Sequence, residues 1–135
     1  MNKWMSTLFI AAILLSATTS FGQEYNPGKS WLSWSHESRF NFVWGFTEGQ
    51  ALILEELKMK STKNLKWAIS DNDVPAITEI MSQFYNDPAN TYIPWKYMAF
   101  VAKMKLEGQP STKIEEQLEM LRQYAMYERG KKKKD

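Results

Sequence analysis

Very few side chains in this chain could do chemistry. There is one histidine, His36, and no cysteine among 135 residues. A protein zinc site is built from several thiolates and imidazoles, so a single imidazole argues against a metal centre. His36 could in principle serve as the base of a Ser-His-Asp set, but spacing assembles no partners around it. A lone histidine in the first turn of a helix reads as a surface residue. Adjacent carboxylates occur at Glu55-Glu56 and Glu115-Glu116. Neighbours in sequence do not face each other on a helix, so these pairs read as solvated faces rather than as an acid and a base. The run Ser70-Asp71-Asn72-Asp73 carries oxygen donors, but it lacks the glycine at the sixth position and the glutamate at the twelfth that a calcium loop needs. Gly45 and Gly49 lie inside a helical pattern and form no phosphate-binding loop. No catalytic, metal-ligating or cofactor-binding residue is assigned, no cofactor is implied, and no enzyme is expected.

The segments that would have to position such groups begin after a leader. Residues 1–22 have a short n-region with Lys3, an apolar run from Leu8 to Leu15 and a small, polar patch, with Ser20 and Gly22 placed for a cut before Gln23. This is the pattern of a cleaved secretory signal peptide, and its apolar run is too short to span about 30 Å of hydrocarbon. With no cysteine to lipidate, a lipoprotein is excluded. Residues 23–130 form one helical domain's worth of chain, enough to bury a core without staples, and residues 131–135 form a basic tail. Residues 23–128 hold 11 basic and 14 acidic side chains. A mildly acidic body is not the footprint of a nucleic-acid binder. The expected location is the bacterial periplasm or the extracellular space.

Periodicity predicts an all-α fold: a small four-helix bundle after the cleaved signal. Residues 23–30, with Asn26-Pro27-Gly28, read as a turn or linker. The first helix runs over about 35–58 with Ser33 or Ser35 as N-cap, and it reads as the central helix on which the others pack. Phe42, Phe46, Ile53 and Leu57 make its inner stripe. Gly45 and Gly49 are four apart on one face, and each costs a helix interior about 1 kcal/mol relative to alanine. The pair therefore predicts structural close packing against a neighbour, so that Gly49→Leu would overpack that face. Residues 60–73 read as a loop pinning Trp67 to the core. The second helix starts at Asp73-Val74-Pro75, with Asp73 as N-cap and a stripe of Ile77, Ile80, Met81 and Phe84. The third begins near Pro94, buries Tyr97, Met98, Val101, Ala102 and Met104, and stops at Gly108. The fourth opens on a Thr112-to-Glu115 capping box, repeats Ile114, Leu118, Leu121 and Ala125, and ends at Gly130. The expected core is Phe42, Phe46, Ile53, Leu57, Ile77, Ile80, Phe84, Val101, Leu118 and Leu121.

The aromatic content is unusual. Five tryptophans, Trp31, Trp34, Trp44, Trp67 and Trp95, follow the leader, with Tyr85, Tyr92 and Tyr97 near them. Most belong to a core, but a bundle this small need not bury them all, and tryptophan and tyrosine anchor protein interfaces. The candidate partner surface is Trp31, Trp34, Arg39, Trp44, Glu48, Tyr92 and Trp95. A protein partner is expected, on a monomer or homodimer. The lysines Lys131, Lys132, Lys133 and Lys134 are expected to be solvated and to give at most weak, salt-sensitive contact with an anionic membrane surface.

One stretch, Gly45-Phe46-Thr47-Glu48-Gly49, is similar to the Gly-aromatic-x-x-Gly pattern in the first helix of the Rap/Tai type of immunity proteins of type VI secretion. A Val74-Pro75 helix start, the Asp87-Pro88 turn and a helix from Pro94 to Leu106 follow in that family's order. The family also carries cysteines, and this chain has none. The Trp31-to-Trp34 start and Phe84-Tyr85-Asn86-Asp87 also resemble a wider set of exported bacterial proteins. The resemblance implies a small exported helical protein that binds another protein, a periplasmic immunity factor against a secreted toxin. The alternative is an envelope structural or stress-related protein.

Overall fold

The computed structural model of the chain describes residues 24–56 and 68–132, with side chains of 54–56 and 132 excepted. The expected signal at 1–22, the core candidate Leu57, Trp67, and the tail residues Lys133 and Lys134 lie outside the described residues. Within them the fold is all-helical, with no strand and five α-helices: α1 (Pro27–Ser33), α2 (His36–Glu56), α3 (Val74–Tyr85), α4 (Trp95–Leu106) and α5 (Ser111–Lys132). Short 3-10 turns at Asp71–Asp73 and Pro88–Asn90 flank α3. No described helix is long and apolar enough to cross a membrane.

The helix missing from the sequence reading is α1. Asn26-Pro27-Gly28 is a helix start rather than a linker. The Asn26 side-chain oxygen accepts from the Lys29 N–H at 2.9 Å, and Pro27 occupies the first turn, where its missing N–H costs nothing. Gly28 is the position where this chain needs a glycine. Its N–H donates to the Thr91 carbonyl at 2.7 Å. A Cβ there would lie 2.6 Å from the Thr91 Cα and 2.7 Å from a Tyr85 ring carbon.

The organising helix is α3, not α2. Its neighbours are α1, α2, α4 and both 3-10 turns. Val74, Ile77, Thr78, Met81, Ser82 and Tyr85 are its buried residues, while Ile80 and Phe84 pack partly buried at the edge of that face. The two hydroxyls on this face return their protons to the helix, Thr78 to the Val74 carbonyl at 2.8 Å and Ser82 to the Thr78 carbonyl at 2.9 Å. Asp73 makes no capping hydrogen bond to the helix. Its carboxylate instead pairs with Lys103 of α4 at 3.1 Å. Against α3 pack Val101, Met98 and Ala102 of α4, and beyond α4 the α5 stripe of Ile114, Leu118, Leu121 and Ala125 is buried as expected.

The inner face of α2 is rotated by roughly one residue, about 100°, from the expected stripe. Val43 and Thr47 are buried, with Arg39 and Gln50 partly so. Phe42 and Phe46 are only partly buried against the core, and Ile53 is 60% exposed. Polar side chains can face inward because each finds a partner. Thr47 donates to the Val43 carbonyl at 3.0 Å, and the Gln50 side chain accepts from the Ile69 N–H at 3.2 Å. The start of α2 follows expectation: Ser35 accepts from the Ser38 N–H with its hydroxyl at 3.1 Å.

The other helix ends divide in the same way. Gly108 has φ +72°, and α4 closes in a Schellman motif. The Gly108 N–H bonds the Lys105 carbonyl and the Gln109 N–H bonds the Met104 carbonyl. Gly130, by contrast, is no cap, because α5 continues through Lys131 to Lys132. Nor does Glu115 close a capping box. It binds Arg122 at 2.6 Å, and Arg122 also reaches Glu119 and Asp87.

Candidate functional site

The candidate surface residues separate into three groups. Trp31 belongs to none of the molecule's surface: it is 0% exposed. Its indole N–H donates to the Ser82 hydroxyl at 3.0 Å. Arg39 serves the same junction, with Nη1 on the Ser82 hydroxyl at 2.9 Å and Nε and Nη2 on the Trp34 carbonyl at 3.1 and 3.0 Å. Ser82 thus donates one hydrogen bond and accepts two, which exhausts a hydroxyl. Trp34 and Trp95 are partly buried, their rings tilted 51° to each other with centroids 4.8 Å apart, and Phe42 meets Trp95 edge-on at 4.9 Å. The Trp95 indole donates to the Pro27 carbonyl at 2.8 Å. These rings join α1, α2 and α4. They pack these elements together.

Trp44 and Glu48 do remain on the surface. Trp44 is 48% exposed, and its indole N–H donates to the Glu48 carboxylate at 3.1 Å, one helical turn on. Leu52, one turn further, is 66% exposed, and Ile53 lies beside it. Gly45 and Gly49 sit on this same outer face. Among the described residues nothing lies within 4 Å of a Cβ built on either, so none of them makes the close packing expected there. Helix α2 therefore turns Val43 and satisfied polar groups inward and Trp44, Leu52 and Ile53 outward, with Gly45 and Gly49 beside them on the outer face.

The third group is a cleft that sequence reading touched only at Tyr92 and Tyr97. It is a half-open trough of about 800 Å³ where residues before α1, the start of α4 and the end of α5 meet. Tyr25, Tyr92, Tyr97 and Tyr124 line it over Pro27 and Pro94, with Lys96, Glu24, Glu128 and Arg129 around them. Tyr97 and Tyr124 meet edge-on at 5.8 Å, and their mutual hydrogen bond raises the Tyr124 phenol above its ordinary pKa. Burial raises that of Tyr25. Arg129 lies 3.6 Å over the Tyr92 ring and grips Glu24 with two nitrogens, at 2.5 and 2.8 Å. Tyr25 and Tyr124 were not expected here. They are 99 positions apart, and no local spacing could have paired them.

The residues considered for chemistry stay apart. His36 is exposed at the first turn of α2, Glu115 is held by Arg122, and Asp73 by Lys103. Among the described residues, no group of three or more His, Cys, Asp or Glu side chains could hold a metal ion. No family model, curated protein or solved structure matches the chain.

Proposed function

We propose that this chain is an exported helical protein that binds another protein through the outer face of α2. In this reading the leader is removed, the four longer helices act as one bundle, and the bundle presents a helix to its partner. The single observation that carries it is the inversion of α2: Trp44, Leu52 and Ile53 face outward around Gly45 and Gly49, while Thr47 and Gln50 face in. A partner helix laid along the glycines would approach the α2 backbone closely and be gripped from both sides by apolar groups. The glycines are those of the segment that resembles Rap/Tai immunity proteins, which supports an immunity factor, with a periplasm-delivered toxin as the partner, as the sharper form of the proposal. The basic end from Lys131 onward adds weak, salt-sensitive attraction to anionic surfaces.

The test is site-specific photo-crosslinking in producing cells. A crosslinker at Leu52 should give one discrete adduct, and one at Lys113, on α5, should give none. Leu52→Glu should cut the adduct formed from a crosslinker at position 48 by about tenfold, the effect of losing one well-buried apolar anchor. Equal adducts from positions 52 and 113 would remove the face from consideration. For the immunity reading, deletion of the gene should sensitise the producing cell to a toxin encoded beside it.

A further inference from the structure

Helix α5 runs on past its own core. Ala125 is the last buried residue on it, yet the helix continues to Lys132. Past Ala125, Glu128 and Arg129 are partly buried, and Arg129 ties the helix back to Glu24. The side chains turned away from the core there are not all polar. Met126 is 61% exposed, Tyr127 62% and Tyr124 43%. At about 100° per residue these three, with Gly130 and Lys131 among them, lie on the side of α5 away from the stripe of Ile114, Leu118, Leu121 and Ala125. Apolar groups gathered on one helix end mark a contact surface.

Charge decides what that surface fits. Residues 126–135 hold five basic side chains and two acidic ones. Of the carboxylates nearby, Glu128 lies 3.7 Å from Lys131, and Glu24 is gripped by Arg129. Glu115 and Glu119 stand in the first half of α5, bound to Arg122. The Lys131 ammonium rests 4.5 Å from the centre of the Tyr127 ring, so cation and apolar group share one spot. Met126 and Tyr127 are about 100° apart around the helix and make a convex edge. A protein partner would have to supply a hollow fitted to that edge, whereas a bilayer interface takes it without shape matching. Tyrosine rings settle at headgroup level, and an apolar contact joined to a polybasic segment holds a protein on a membrane better than either does alone. We propose that the C-terminal end of α5 docks on an anionic bilayer surface, with Met126 and Tyr127 entering the interface and the lysines from Lys131 onward meeting the headgroups. This rests on the lysine attraction proposed above and adds to it a contact that salt does not screen.

The test is sedimentation of the chain, purified from the exported fraction of producing cells, with phosphatidylglycerol–phosphatidylethanolamine vesicles at low and at physiological salt. Phosphatidylcholine vesicles are the neutral reference. The native chain should bind the anionic vesicles at both salts and the neutral ones at neither. Met126→Ser combined with Tyr127→Ser changes two exposed side chains, so it should leave the fold intact by circular dichroism yet weaken binding about tenfold at both salts. Gln at all four of Lys131, Lys132, Lys133 and Lys134 should weaken it most at low salt. The chain has no cysteine, so a fluorophore can be placed singly. One on Gly130→Cys should shift to the blue on anionic vesicles, and one on Lys113→Cys, at the other end of α5, should not. No binding to anionic vesicles would overturn the proposal. So would equal binding by the double serine variant, which would leave the lysine attraction standing alone, whereas binding unchanged in the glutamine variant would remove that attraction as well. Self-association abolished by the double serine change, without vesicle binding, would give the surface to a second copy of the chain and overturn the proposal too. Trp44→Ala should bind as the native chain does, so failure here leaves the α2 reading untouched.

Discussion

Helices α2 and α3 differ in how completely they turn their apolar residues inward. On α3 they face inward, and the two hydroxyls among them are satisfied by the helix itself and by Trp31 and Arg39. On α2 much of the apolar surface faces outward, and Thr47, Gln50 and Arg39 turn in. The glycines sharpen the contrast. A Cβ built on Gly28, in α1 against the end of α3, would lie 2.6 Å from the Thr91 backbone, whereas among the described residues nothing lies within 4 Å of one built on Gly45 or Gly49 of α2. A glycine in a helix marks either a contact already made inside the molecule or a backbone left bare. The residue type is the same in both, and the difference lies wholly in what packs against it.

The largest test of that contrast compares two tryptophans. Trp31→Ala should cost about 3–5 kcal/mol in urea unfolding, the usual range for truncating a fully buried aromatic. Trp44→Ala, on the outer face, should stay within about 0.5 kcal/mol of the native chain. Similar losses for both would mean that α2 buries its outer face in the folded monomer.

Next come the glycines, where the sign itself is at stake. Gly28→Ala must push Thr91 and Tyr85 apart and should destabilise by about 1–3 kcal/mol. Among the described residues Gly49→Ala meets nothing, and it gains helix propensity, so it should stabilise by up to about 1 kcal/mol. Gly49→Leu likewise lacks the neighbour that an overpacking penalty requires. Thermal melts of the two alanine variants that move in the same direction would break the comparison.

How much of this was readable follows from which forces were local. Ile77 and Met81 of the α3 stripe, the Pro94 start, the Gly108 stop and the Ile114-to-Ala125 repeat were legible, because each rests on spacing or on a fixed φ within one element, whereas Ile80 and Phe84 sit at the edge of the buried face. The register of α2 was not, since its inward polar groups are satisfied by partners such as the N–H of Ile69, 19 residues away. Asn26-Pro27-Gly28 carried a turn signal that also fits a helix start, and only the contact with Thr91, 63 positions on, decides between them. Gly130 looked like a stop, but φ there is not positive, and the helix runs on past it. The tyrosine trough joins three distant segments, so composition showed its material without its place.

The smallest expected effect concerns how α3 is pinned at its N-terminus. Burial works against the charge of Asp73, but hydrogen bonds from Ser70 and Lys103 and the Lys103 charge outweigh it and hold the carboxyl below its ordinary 3.8. Burial likewise works against the charge of Lys103. The bond and charge of Asp73, then those of Glu107, outweigh it and raise the amine above 10.5. A carboxyl lowered by folding contributes stability that is present above its unfolded value and is lost as pH falls through the folded one. An amine raised by folding contributes stability that is present below its unfolded value and is lost as pH rises through the folded one. The pair should therefore contribute at full strength between 3.8 and 10.5. With side chains 27% and 13% exposed, its worth is under about 1 kcal/mol. Asp73→Asn should lower stability by that amount at neutral pH, and the deficit should close as the solution is acidified past the native Asp73 titration. Lys103→Gln should show the same acid-side closure, and the double variant should cost less than the two singles added together. A deficit that stays constant down to acid pH would show that Asp73 supports α3 through its shape and hydrogen bonds rather than through its charge, and the packed end of the molecule would then be as free of electrostatic support as the open face of α2.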